Sequence, residues 1–185
     1  MGAKLDIDIT SFSHGQITSK IWLCDQIETY LKPNTKIIIL GAWYNVLGFM
    51  LLTRYKQITK LTGIDINPEV KPIADKLCDA WTSIVSNITI DSAKVNMEDY
   101  DIIINCSPEH MITNDWYNNI PNNKLVIIQS SDMTIQEEPW LVCNPNTSLQ
   151  EFLDKYKLQT VIFSDTIKLP YSTGYYQRFM IIGKK

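Results

Sequence analysis

Cysteine, histidine and glycine are scarce in this 185-residue sequence, at four, two and seven residues. Cys24, Cys78, Cys106 and Cys143 are scattered without CxxC spacing, which argues against a zinc site or disulfide frame. They read instead as reduced thiols of a cytoplasmic protein. No apolar run approaches the roughly 20 residues of a membrane span, and the opening residues lack the pattern of a secretory leader. A basic excess is missing too: 17 Lys and Arg stand against 20 Asp and Glu, for a formal charge of −3. That balance makes nucleic acid an unlikely partner, since a dedicated binder carries a basic patch. Internal repeats, low-complexity segments and shifts of composition are absent as well. What remains is 45% hydrophobic and 20% charged residues, the composition of a globular chain with a sizeable core. The expectation is one domain over residues 1–185, with residues 1–12 as a loose arm.

The most informative stretch runs from Lys36 to Phe49. Ile37, Ile38, Ile39 and Leu40 precede Gly41-Ala42-Trp43-Tyr44-Asn45, and Val46, Leu47 and Phe49 open an apolar helical pattern. A continuous apolar run entering a glycine turn and a helix reads as a buried parallel strand. Open α/β sheets bind ligands at such a turn. A second strand ends at Asp65, 24 positions after Gly41, close to the ~20 expected for a carboxylate that reaches a ribose hydroxyl. Dinucleotide folds place a second glycine where this chain has Trp43, so that the backbone can approach a pyrophosphate. An indole there blocks that approach and favours an adenosine ligand without phosphate.

At these residues the chain resembles the class I (Rossmann-like) S-adenosylmethionine-dependent methyltransferases. Their first motif is a strand entering a glycine turn, and their second is an acidic residue ending the next strand. The resemblance implies a three-layer α/β/α Rossmann-like fold with a mostly parallel seven-stranded sheet and a C-terminal antiparallel hairpin. NAD-binding Rossmann domains normally lack that hairpin. S-adenosyl-L-methionine is the implied cofactor, with Gly41, Ala42, Trp43, Asp65, Ile66, Asn67, Asp91 and Asn105 as its contacts. Its sulfonium cation is drawn to aromatic faces and carboxylates.

Around this frame the elements fall in order. Ser13-His14-Gly15-Gln16 fits a capping box, and Ile17, Ile21, Cys24, Ile27 and Leu31 follow at helical spacing. The resemblance makes Gln16, Ser19 and Lys20 candidate contacts, although a solvated helix face is the expectation for Lys20. Pro72 marks the start of a helix with Ala74, Leu77, Cys78 and Trp81 on its core side. Ile88 to Ile90 form a third strand, after which Asp91 either accepts from the adenine amino group or starts a turn. Tyr100 to Asn105 form the fourth, next to the first across the switch point.

Cys106-Ser107-Pro108-Glu109-His110-Met111 then lines the methyl-transfer site of the resembled family. Glu109 and His110 either serve as an acid/base pair there or merely cap and pack a short helix. Leu125 to Ile128 form the fifth strand. The long loop from Asp132 to about Asn146 carries Glu137, Glu138 and Trp140, acidic enough to repel phosphates. Thr147-Ser148-Leu149-Gln150 opens a last helix with a second capping box. Strands over 159–168 and 175–182 close the chain, with Arg178 read as a surface or edge residue.

The first functional reading is methyl transfer to a small-molecule acceptor. Two others compete: a nucleic-acid or protein methyltransferase, which needs a basic rim around the cleft, and a methyltransferase-like interaction module without catalysis. Oligomeric state is not legible from these residues.

Overall fold

The computed structural model describes residues 7–134, 141–171 and 174–185. Seven strands form one sheet in the order β3-β2-β1-β4-β5-β7-β6. They are β1 (Thr35–Leu40), β2 (Ile58–Asp65), β3 (Val85–Thr89), β4 (Ile102–Asn105), β5 (Leu125–Ser131), β6 (Thr160–Tyr171) and β7 (Gly174–Lys184). β1 pairs in parallel with both β2 and β4, so the order reverses at β1. β7 runs antiparallel to β5 and to β6, completing the mixed sheet that the sequence predicts.

The central strands read as unbroken apolar runs because both of their faces are covered. Ile37, Ile39, Ile102, Ile104 and Ile127 point to one side, where α1 (His14–Ile27) and α2 (Val46–Arg54) supply Leu23, Ile27 and Leu51. Ile38, Leu40, Ile103, Val126 and Ile128 point to the other. There α4 (Asp115–Asn118) and α5 (Leu149–Lys155) bring Trp116, Tyr117 and Phe152, and Tyr156 follows α5. Between the second and third strands, α3 (Lys71–Leu77) starts with a proline in its first turn. Two apolar layers on one sheet give the three-layer architecture.

Several local expectations shift. The third strand ends at Thr89 rather than Ile90 and begins three residues earlier than its apolar residues suggest. Ser13 makes no side-chain cap bond, and Gln16 binds Lys20 instead of reaching back. Leu23, Cys24 and Ile27 are the fully enclosed residues of α1, whereas Ile21 is 37% exposed. The second capping box forms one residue later: Ser148 accepts from the Glu151 N–H, and Glu151 accepts from Thr147. The Thr147 hydroxyl and N–H, both donating to Glu151 Oε2, hold that carboxyl below its ordinary range. Of the expected arm, residues Ile9–Phe12 form a 3-10 turn with Ser11 buried.

The two glycines around the first motif do different work. Gly41 has φ +61° in the turn itself, whereas Gly48 lies inside α2 and faces Asn45. Asn45 is fully buried in the left-handed region at φ 55°, wedged against Gly48 and Gly63. A Cβ at residue 48 would sit 2.2 Å from Asn45 Oδ1. Gly48→Ala therefore reverses the usual helix-propensity gain and should cost about 2 kcal/mol through overpacking. Urea unfolding checks this; a variant as stable as the parent would show that Asn45 has room to move.

Candidate active site

A cavity of about 710 Å³ opens at the carboxyl ends of β1, β2 and β4, where the strand order reverses. Its volume lies in the range of small-molecule sites. The Gly41 turn forms one wall. Gly41, Trp43 and Asn45 all have positive φ, which curls the chain tightly after β1. Ala42 donates its N–H to the Ile64 carbonyl at 2.8 Å, and Trp43 donates to Asp65 Oδ2 at 2.8 Å. The other Asp65 oxygen accepts from the Asn67 N–H at 3.0 Å. One carboxylate thus holds both loops that border the cavity. An ionised carboxylate has about four acceptor sites, so capacity remains for hydroxyl donors.

The turn also leaves space that a side chain would fill: a Cβ at Gly41 would meet Met111 Cε at 3.2 Å. This cradle, with a carboxylate and an aromatic ring at its edge, fits an adenosine ligand bearing a sulfonium.

Gly41, Ala42, Trp43, Asp65, Ile66, Asn67, Asp91, Glu109 and His110 all line the cavity. Asn105 does not. It is fully buried behind the wall, accepting from the Ser107 N–H at 2.9 Å and donating to Met111 Sδ at 3.3 Å. Its amide shapes the loop after β4 rather than facing a ligand. Asp91 does start a turn, since Oδ1 accepts from the Ala93 N–H at 2.9 Å, and it remains in the wall.

Residues Pro108–His110 form a 3-10 turn, not a helix capped by Glu109. The Glu109 carboxylate is buried instead against Arg178, with Nη1 donating to Oε1 at 2.9 Å. Ser131 Oγ donates to the same oxygen at 3.4 Å, and Arg178 Nη2 donates to the Cys106 carbonyl at 2.5 Å. Oε2 of Glu109 and Nε of Arg178 are enclosed without a hydrogen-bond partner. His110 Nδ1 lies 2.9 Å from the Leu141 carbonyl, and the Glu109 carbonyl accepts from Cys143 and Asn144. The catalytic-loop candidate is therefore clamped by the later part of the long loop, Leu141 to Asn144.

Arg178 is the main correction. It is 6% exposed and lines the cavity, not the surface or an edge. The hairpin inserts β7 between β5 and β6, so Arg178 pairs with Ser131 on one side and Ile167 on the other. The signal was present: a charged residue before Phe179-Met180-Ile181-Ile182 needs a partner if that strand is interior.

Lys20 also departs from expectation, since it faces the cavity and donates to Gln16 Oε1 at 2.6 Å. Burial pushes its pKa down to about 8, and the neighbouring Arg178 charge adds to the shift. Cys106 itself is pushed up to about 11 by burial, so it stays a thiol at neutral pH. For a lysine whose folded pKa lies near 8 and whose unfolded value is 10.5, stability rises with pH between those two values. At pH 7 the charged amine is a net cost. Lys20→Met should thus be about 2 kcal/mol more stable at pH 7, a gain that disappears above about pH 10.5. Thermal unfolding at both pH values checks the sign.

Asp132 bonds Gln177 through both oxygens and does not line the cavity. Glu137, Glu138 and Trp140 lie outside the described residues. Among the described residues no group of three or more His, Cys, Asp or Glu side chains is placed to hold a metal, and no helix is long and apolar enough to cross a membrane.

No family model matches the sequence, and no curated protein does. Solved structures do. The N-methyltransferase NodS of Bradyrhizobium japonicum WM9, in complex with S-adenosylhomocysteine, superposes with a TM-score of 0.69 at 10% identity. That match covers 94% of this chain and 90% of NodS. Magnesium protoporphyrin IX methyltransferase of Synechocystis PCC 6803, also with S-adenosylhomocysteine, gives 0.68 at 12% identity, over 99% and 90% of the two chains. Coclaurine N-methyltransferase, bound to N-methylheliamine and S-adenosylhomocysteine, gives 0.68 at 11% identity over 97% and 75%. The chain has the class I methyltransferase fold.

Proposed function

We propose that this protein transfers a methyl group from S-adenosylmethionine to a small-molecule acceptor. Asp65 carries the reading: one carboxylate at the end of β2 fixes the Gly41 turn and the Asn67 segment at the mouth of the cavity. In this reading Asp65 accepts from the ribose hydroxyls, Ile66, Asn67 and Asp91 flank the adenosine, and Gly41, Ala42 and Trp43 border the methionyl part. The cofactor, when bound, supplies an electrophilic methyl group on a sulfonium.

His110 is the residue to take a proton from the acceptor. Its Nδ1 faces the Leu141 carbonyl and so carries the hydrogen, which makes Nε2 the basic nitrogen. Glu109 is buried in its bond with Arg178 and acts as a positioning residue, holding the turn that presents His110.

The charges of the cavity support a small acceptor over a nucleic acid. Among the described residues Asp65, Asp91, Glu109 and Asp115 line it, against Lys20 and Arg178 as cations. Phosphodiesters are held by the opposite balance. Two of the structurally similar enzymes bear the names of small acceptors, magnesium protoporphyrin IX and coclaurine, which adds support.

Isothermal titration calorimetry with S-adenosylmethionine, S-adenosylhomocysteine and NADH tests the reading. Micromolar binding of the first two is expected. Binding of NADH alone would overturn it, and a folded sample that binds none of the three would favour a non-catalytic module.

A further inference from the structure

Among the described residues, two cations line the inner wall of the cavity, and one carboxylate, Glu109, is paired with them. Arg178 is 94% buried by its 6% exposure, and its Nη1 is neutralised by Glu109. Lys20 forms no ion pair among the described residues; its ammonium is held only by the neutral Gln16 side chain and carbonyl. Among the described residues the local balance is one positive charge in excess, at a part-buried wall where an unpaired cation is costly. Nε of Arg178 is enclosed and lacks an acceptor, although buried N–H groups are nearly always bonded. Arg178 on β7, Cys106 after β4 and Lys20 on α1 all line the cavity, while Asp65 and Asp91 border it beyond β1. Lys20 is near enough to the other two to interact electrostatically. Trp116 lines the same cavity and is 1% exposed, giving it an apolar wall.

We propose that this inner wall binds a carboxylate of the acceptor between Lys20 and Arg178, so that the acceptor is a small, partly apolar carboxylic acid. An anion there supplies a negative charge for the Lys20 ammonium, which the described residues leave without an ion-pair partner. The inference rests on the methyltransferase reading for the word acceptor, but the anion site can be measured without turnover.

Benzoate and benzamide are the probes, nearly the same in shape and different in charge. They are titrated by calorimetry into the protein saturated with S-adenosylhomocysteine, whose own carboxylate then already occupies its place. Benzoate should bind at least tenfold more tightly than benzamide. Lys20→Met should lose that preference while binding S-adenosylhomocysteine within twofold of the parent, and Lys20→Arg should restore benzoate binding to within threefold.

Equal binding of the two probes, or no benzoate binding, would overturn the proposal. So would benzoate that binds only without S-adenosylhomocysteine, or a Lys20→Met variant that loses S-adenosylhomocysteine instead; the cation would then serve the cofactor carboxylate. If S-adenosylhomocysteine fails to bind but benzoate is held and lost in Lys20→Met, the anion site stands and the methyltransferase reading falls.

Discussion

Arg178→Met should lose about 4 kcal/mol of folding stability. Arg178 and Glu109 are both nearly enclosed, with side chains 7% and 4% exposed and a 2.9 Å contact between them. Removing one partner of such a pair strands the other charge in a low-dielectric site, which typically costs 3–5 kcal/mol. The Cys106 carbonyl loses its donor as well. For a chain of 185 residues, each kcal/mol is worth roughly 2–4 °C in Tm, so the variant should melt roughly 8–16 °C lower. Glu109→Leu in the Arg178→Met background should recover most of the loss, because an apolar pair of similar volume leaves no unpaired charge. Urea unfolding of both single variants and the double variant measures the coupling. A loss under 1 kcal/mol in Arg178→Met would mean that water reaches the pair and solvates Glu109.

Asp65→Ala should weaken S-adenosylhomocysteine binding by at least a hundredfold. Two effects add. In the proposed reading the variant removes a charged acceptor for the ribose hydroxyls, each such bond being worth ~1.5–3 kcal/mol. It also releases the N–H groups of Trp43 and Asn67, which Asp65 now holds at 2.8 and 3.0 Å, so both loops lose their shared anchor. Asp65→Asn separates the two contributions. Its remaining carbonyl oxygen can hold one loop, so it should fall between the parent and alanine variants in both affinity and melting temperature. Calorimetry paired with thermal unfolding reads both quantities. Unchanged affinity in Asp65→Ala would move the adenosine elsewhere in the cavity.

Much of the architecture was legible because burial on both faces writes itself into a strand as an unbroken apolar run. Ile37 to Leu40, Ile102 to Ile104 and Leu125 to Ile128 announce the central strands, and Gly41 and Asp65 announce their loop ends. Exposed edges are less legible. β3 carries one buried residue in five, so its apolar positions mark its end badly. Capping was legible only in part: the Ser13 box does not form, and the later one shifts by a residue because Ser148 and Thr147 are equally good caps until Glu151 reaches Thr147.

The site divides in the same way. Glu109 and His110 both line the cavity, yet the sequence could not distinguish a carboxylate open to the cavity from one locked to a residue 69 positions away. Arg178 was misread because its setting depends on which strand of the hairpin joins β5. With β7 inside and β6 outside, an arginine that would face water on an edge strand becomes part of the cavity wall. Lys20 was misread for a related reason: helical spacing shows which residues share a face, but not what covers that face.

The sequence by itself determined the order of elements, the parallel core and the carboxylate at the end of β2, since each follows from local pattern and from burial of apolar surface. Only the tertiary structure decided which ionisable groups are enclosed together. Pairing Arg178 with Glu109 and setting Lys20 beside them depends on strand order and helix docking. Those are contacts between distant segments, and electrostatic energies in a closed cavity follow distance through space rather than separation along the chain.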